Sequence, residues 1–326
     1  MNAEGNEVCE QGGVKPENAG KPDKKRKINV NRTLFIVSGL ILPILSFLVF
    51  WLYVNFNSFL LAFQEPRTYE WTLNNFAQFW DELTREGGTI GIALGNTLIY
   101  FAVGIIMLFL NLVASYFLYK KIFMYKTFRI IFYLPAIISA VVLTTVYAEF
   151  IKPQGPLGTI LKAMGIPMRP EGLLGDAATA TWTIVIYTIW SGFTNMILFH
   201  GSLARIPGEI IEAAKLDGCG PFRECIHIVF PLILPMFSTM LIFNLTGLFT
   251  ASGPILLFTP EIYEATAYKT MTISYWIFTQ VYGTGGLGGS GYYGVVSAAG
   301  ICFTLVGVPI ILLVRKLLDK IPVVEY

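Results

Sequence analysis

Leu203-Ala-Arg-Ile206-Pro207-Gly-Glu209-Ile210-Ile-Glu212-Ala213-Ala214-Lys-Leu-Asp217-Gly218-Cys-Gly220-Pro221-Phe-Arg-Glu-Cys225-Ile-His-Ile228-Val-Phe230-Pro231-Leu-Ile-Leu-Pro235 reads as a short helix, a stop, and a return into apolar sequence. Pro207 suits the first turn of a helix, where its missing N–H is not needed. Glu209 and Glu212 fall early in that helix, where the macrodipole favours acids. Ile206, Ile210, Ala213 and Ala214 form a small apolar stripe at helical spacing. Gly218 fits the residue just past the end, where a left-handed conformation closes the helix. A second short helix can start after Gly220-Pro221. The residues alone leave two readings open: a helix that presents small side chains to a groove on a soluble partner, or an amphipathic helix lying in a membrane interface.

The surroundings of this stretch are apolar. Of 326 residues 54% are hydrophobic and only 13% charged, about half the charge a soluble domain carries, so lipid is the solvent that fits. A crossing helix needs about 20 mostly apolar residues. Six runs meet this: 33–54, 92–119, 128–150, 178–200, 226–249 and 295–318. The expected fold is therefore all-α and integral to the membrane, with six transmembrane helices. A polar tail occupies 1–32, the membrane domain 33–318 with a loop at 201–225, and a short tail 319–326. The first run lacks a small-residue cleavage site after it, so it is expected to stay as an anchor.

Basic residues set the orientation. With six crossings, Lys15, Lys21, Lys24, Lys25, Arg26, Lys27 and Arg32 share one side with Lys120, Lys121, Lys126, Arg129, Arg205, Lys215, Arg223, Arg315, Lys316 and Lys320. Only Arg67, Arg85, Lys152, Lys162, Arg169 and Lys269 fall opposite. Both termini and the 201–225 loop are thus expected in the cytoplasm. The cluster Lys24–Lys27 is a juxtamembrane stop that meets anionic lipid rather than a nucleic-acid site.

Several chemistries are disfavoured. The span centres hold no ionisable side chain for a proton relay, and no Ser/His set or Asp pair for an intramembrane protease. Cys219 and Cys225 with His200 and His227 do not have zinc-ligand spacing. Gly283-Thr-Gly285-Gly-Leu-Gly288 matches G-x-G-x-x-G, but it precedes a spanning run instead of following a strand. No phosphate-binding G-x-x-x-x-G-K-[ST] occurs, so neither a cofactor nor an ATPase site is expected in this chain.

The quoted stretch resembles the EAA signature of binding-protein-dependent ABC importer permeases: Glu-Ala-Ala, three residues, Gly, nine residues, Ile-x-Leu-Pro. Glu212, Ala213, Ala214, Asp217, Gly218, Ile228 and Pro231 stand at the matching intervals, with Phe230 where Leu is usual. The extended match to Pro235 is similar to the sugar-importing, MalF-like branch of the MetI/MalF-like fold. Trp71–Phe76, Asn96-Thr97-Leu98 and Phe132-Tyr133-Leu134-Pro135 resemble the family's segments around spans two and three. The chain's ending, Leu317 to Tyr326, lacks the Gln-Arg, glycine-rich tail of the family's second subunit and so looks like the first member of the pair.

The resemblance implies a non-catalytic subunit that imports a carbohydrate. Its partners would be a second, MalG-like permease, a cytoplasmic ABC ATPase dimer and an extracytoplasmic solute-binding protein. Glu212, Ala213, Ala214, Asp217 and Gly218 would form the helix that couples to the ATPase. A sugar path needs polar and aromatic groups in otherwise apolar helices. In spans four and five these are Tyr187, Trp190, Ser191, Asn195, Phe243, Asn244, Thr246 and Thr250, although Ser, Thr and Asn also join membrane helices. Tyr263, Tyr292 and Tyr293 are candidates for the binding protein's docking face. The competing class is a six-helix channel or secondary transporter, which explains the hydropathy but not the 203–235 stretch.

Overall fold

The computed structural model describes residues 30–65, 68–250, 254–258, 269–282 and 292–321. Lys24–Lys27, Tyr263, Gly283–Gly288 and residues 322–326 lie outside the described residues. By packing the chain divides into two units, Met1–Asn55 and Phe56–Tyr326.

In the first unit, helix α1 (Val30–Ser46) contains Pro43 and passes into a widened turn at Phe47–Tyr53, where Phe47 and Trp51 stack with ring centroids 4.9 Å apart. Proline removes a helix hydrogen bond and crowds the carbonyl four residues back, which favours local re-registration of the ladder. Helix α2 (Val54–Ala62) continues the chain.

The second unit holds α3 (Asn74–Thr84), α4 (Thr89–Tyr119), α5 (Tyr125–Ile137), α6 (Ala140–Ile151), α7 (Pro156–Ala163), α8 (Gly172–Gly175), α9 (Ala180–Ser191) and α10 (Met196–Leu203). It continues through α11 (Gly208–Leu216), α12 (Pro221–Glu224), α13 (Phe230–Leu232), α14 (Leu234–Thr246), α15 (Ile255–Phe258), α16 (Ile273–Tyr282) and α17 (Tyr293–Leu318). Among the described residues the extended pairing is a single bridge between Gln64 and Trp71.

Among the described residues four helical stretches are long and apolar enough to cross a membrane: Phe35–Ala62, Thr89–Tyr119, Ala180–Leu203 and Tyr293–Leu318. The third and fifth apolar runs, expected as continuous helices, are instead bent pairs. Tyr125–Ile137 meets Ala140–Ala163 at 109°, and Pro221–Leu232 meets Leu234–Thr246 at 78°. Counting each pair as one crossing gives six. The fifth breaks at Ile233 because Pro235 has no N–H to give Pro231, so the bond that would span the joint is missing. In the third, Pro135 weakens the last turn of α5, and Ile138 and Ser139 then take extended backbone.

Helix α4 organises this unit. Its 31 residues reach about 46 Å at 1.5 Å per residue, more than the hydrocarbon thickness of about 30 Å. It packs on α3, α9, α10, α14 and α16, and α17 packs on α3 and α14. Two apolar cores form along it. Ile90 and Ala93 join Phe79, Ile184, Tyr187, Phe258, Trp276 and Phe303 at one end. Leu108, Leu112 and Tyr116 join Phe199, Leu203, Ile206, Ile211, Val229 and Phe237 at the other.

Buried amides and hydroxyls of α4 fix its neighbours. Asn96 Nδ2 donates to the carbonyls of Lys269 and Met271 at 2.5 and 2.9 Å, and the Ile273 N–H donates to Thr97 Oγ1 at 3.0 Å. Asn111 Nδ2 donates to the Gly192 carbonyl at 2.9 Å, and Ser115 Oγ to that of Met196 at 3.0 Å. These acceptors sit where α9 breaks into a tight turn at Phe193–Asn195, so α4 partners carbonyls the break exposes. A Cβ on Gly192 would meet the Thr188 carbonyl of α9 itself at 2.5 Å, so the chain leaves α9 at a position that requires glycine.

Candidate functional site

The 201–225 loop contains α11, but the helix starts one residue later than expected. Pro207 is its N-cap, with ψ at 131°, and Gly208 is the first helical residue. Glu209 lies in the first turn and Lys215 in the last, both complementing the dipole. The end is a complete Schellman closure. The Gly218 N–H donates to the Lys215 carbonyl and the Cys219 N–H to the Ala214 carbonyl, each at 3.0 Å, while Gly218 holds φ at +73°.

The buried side of this segment is Ile206, Ile211 and Ala214, seated on the second apolar core. This differs from the expected stripe. Ile206 precedes the helix, Ile210 is half-buried, Ala213 faces out, and Ile211 and Ala214, one turn apart, are the helix's buried residues. The outward face is Glu209, Glu212, Ala213, Lys215, Leu216 and Asp217, with Leu216 89% exposed. Phe222 of α12 stands nearby in sequence and is 69% exposed. A short helix on an apolar base, showing a leucine, an alanine and carboxylates outward, fits insertion into a groove.

A cavity of about 310 Å³ lies farther along the bundle. Thr97, Tyr100, Phe101 and Gly104 of α4 line it, together with Thr188, Phe243, Asn244, Gly247, Leu248, Pro254 and Thr272. It sits at the level of α4 between the two cores. Asn244 closes against Gly104, where a Cβ would lie 3.0 Å from Asn244 Nδ2. The Tyr100 hydroxyl is buried and has no hydrogen-bond partner among the described residues.

Of the side chains expected along a path, Phe243 and Asn244 line this cavity. Tyr187 is buried in an aromatic cluster, 5.1 Å from Tyr147 and 5.0 Å from Phe258 between ring centroids, and Trp190 flanks it at 6.1 Å. Ser191 Oγ donates to the Tyr187 carbonyl, Thr246 Oγ1 to that of Phe243 and Thr250 Oγ1 to that of Thr246, so each hydroxyl's proton is spent on a backbone carbonyl three or four residues back. Asn195 ends the tight turn after α9 and is half-buried. Tyr292 caps α17 and borders a separate polar pocket with Asp81, Glu82, Arg85 and Gln280, whereas Tyr293 is exposed. Sequence reading missed Thr97, Tyr100, Phe101, Gly104 and Thr188. The signal was present: Thr97, Tyr100, Phe101 and Gly104 recur at three- and four-residue steps, one face of a helix.

Apolar helices of crossing length, a polar-edged cavity among them and an outward helix on one core define a multi-pass membrane translocation component. Residues 112–321 match the family described as binding-protein-dependent transport system inner membrane component, and the chain belongs to that family. It is 30% identical over 233 residues to the probable ABC transporter permease protein YurN of Bacillus subtilis, covering 68% of this chain and 77% of that one. It is 28% identical over 271 residues to the lactose transport system permease protein LacF of Rhizobium radiobacter, covering 78% and 84%. Among solved structures it is similar to a chain of a bacterial ABC transporter involved in the import of the acidic polysaccharide alginate, with TM-score 0.74 and 22% identity, covering 90% of this chain and 98% of that one.

Proposed function

We propose that this chain is the membrane permease subunit of an ATP-driven importer of a carbohydrate delivered by an extracytoplasmic binding protein. Membership of the binding-protein-dependent family supports the importer, and relatives named for lactose, diacetylchitobiose and arabinooligosaccharide uptake support the substrate class. The chain is a non-catalytic membrane subunit; ATP hydrolysis resides in a separate polypeptide.

The observation that carries the mechanism is α11: an outward face of Glu212, Ala213, Leu216 and Asp217 above an anchored base of Ile211 and Ala214. In this reading α11 is the coupling helix, docked in a groove of a cytoplasmic ATPase dimer, and both termini are cytoplasmic. Closure of the ATPases pushes on α11 and shifts the bundle between two states, a two-state element biased by nucleotide. The cavity lies on the sugar's path through a pair of permeases. There the Tyr100 hydroxyl and the Asn244 amide offer donors and acceptors, and Phe101 and Phe243 offer apolar ring surface, the mix that a sugar's hydroxyls and C–H faces need.

The test is co-purification of the full chain with its ATPase and second permease in detergent. Glu212→Lys is expected to abolish ATPase recovery while leaving the chain in the membrane fraction. Undiminished recovery would refute the assignment.

A further inference from the structure

Lys120 ends α4 and Glu224 ends α12, the short helix that follows the Gly218 closure of α11. The Lys120 ammonium lies 2.6 Å from Glu224 Oε1 and 2.7 Å from Oε2. Glu224 is 1% exposed and Lys120 17%. A charge pair so enclosed is a poor source of net stability, because desolvation offsets its attraction; in some proteins its contribution is to fix one arrangement. The buried Tyr116 ring lies beneath, its centroid 5.8 Å from Lys120 Nζ. Phe117 of α4 also meets Phe222 of α12 edge to face at 5.4 Å. Past the pair the chain is strained: Lys121 and Met124 hold left-handed φ of 55° and 58° without being glycine. Such conformations persist only where the surroundings over-determine them.

We infer that the Lys120–Glu224 pair welds the end of α4 to the segment behind the coupling helix, so that both move as one body. Helix α4 then carries a displacement of α11 to its own Thr97–Gly104 face, the cavity wall about 30 Å up the same rigid rod. Lys120 and Glu224 are positioning residues: they touch no substrate and act through α4. The inference rests on the coupling role of α11 proposed above.

The test uses the assembled transporter in proteoliposomes, with Cys9, Cys219, Cys225 and Cys302 replaced by alanine and Phe101→Cys as reporter. The readout is the rate at which a charged methanethiosulfonate labels position 101, without nucleotide and with ATP plus vanadate. With the pair intact, nucleotide is expected to change that rate on the order of tenfold, an ordinary size for coupling between two sites. In Lys120→Met/Glu224→Leu, which keeps an apolar fill, the change is expected to fall below about twofold while ATP hydrolysis continues. The exchanged pair Lys120→Glu/Glu224→Lys is expected to restore it. A full nucleotide response in the apolar double variant overturns the weld. Should that variant fail to assemble, Lys120→Gln decides, since it keeps a donor but no charge: a reduced response supports the weld and an undiminished one overturns it. Absence of any response in the native pair overturns the coupling reading itself, and the weld with it.

Discussion

Helix α11, the proposed coupling helix, and the cavity share one bundle and are built in opposite ways. Helix α11 is local: its start at Pro207, its dipole charges and its Schellman stop at Gly218 fall within 12 consecutive positions. The cavity is assembled from Thr97 to Thr272, with four residues from α4, one from α9, two from α14 and four from segments between helices. A locally capped helix seated on a packed core keeps its shape when more distant helices shift. A wall drawn from distant helices changes shape whenever those helices shift. Under the proposed function the difference suits an ATP-driven translocator, with α11 as the part that receives force and keeps its shape and the cavity as the part that changes.

The largest expected effect comes from the lever's face. Glu212→Lys reverses a charge at the centre of the docking surface, where like-charge juxtaposition costs several kcal/mol. Uptake of a labelled oligosaccharide carried by the native transporter is expected to fall by roughly a hundredfold or more, with membrane levels unchanged. If transport survives, the outward face is not the docking face. Next is the wall. Gly104→Leu drives a side chain into the space Asn244 occupies, and it is expected to block uptake while basal ATP hydrolysis persists. Equal loss of both activities would mean that lever and wall are not separable.

Two smaller effects sharpen the contrast. Asn111→Leu leaves the Gly192 carbonyl buried without its α4 partner, a cost of about 1–3 kcal/mol. A lower melting temperature of the purified complex is expected, with coupling intact. Gly218→Ala puts a Cβ on a left-handed residue with open space around it, so only backbone strain is felt, about 1 kcal/mol. It is expected to weaken ATPase recovery a few-fold without lowering the melting temperature of the rest of the bundle.

The same contrast explains what could be read from the chain. The stop at Gly218, the acid of the first turn, Glu209, and the Glu212–Pro231 spacing are written in consecutive residues, so they were legible. The 109° and 78° bends were not, because apolar content measures suitability for lipid and says little about straightness. Pro135, Pro231 and Pro235 were visible, yet a membrane helix often tolerates proline. Asn96 and Asn111 sit in runs read only as apolar; their partners, at Met271 and Gly192, are 175 and 81 positions away. The pairing of Lys120 with Glu224 was hidden for the same reason, since Lys120 was counted only as a basic residue of a cytoplasmic connection and Glu224 stood only within the 203–235 stretch. Tyr187 and Ser191 were assigned to a path by residue type, whereas their contacts are an aromatic cluster and a helix carbonyl.

A photo-activatable phenylalanine analogue placed at Ala213 tests the docking of α11 most directly, because Ala213 faces outward between Glu212 and the buried Ala214. Irradiation of intact cells, followed by mass spectrometry of the cross-linked product, is expected to recover an ATP-binding cytoplasmic subunit, with the yield falling in Glu212→Lys. Cross-links to lipid alone, or to an ATPase at undiminished yield in Glu212→Lys, would contradict it.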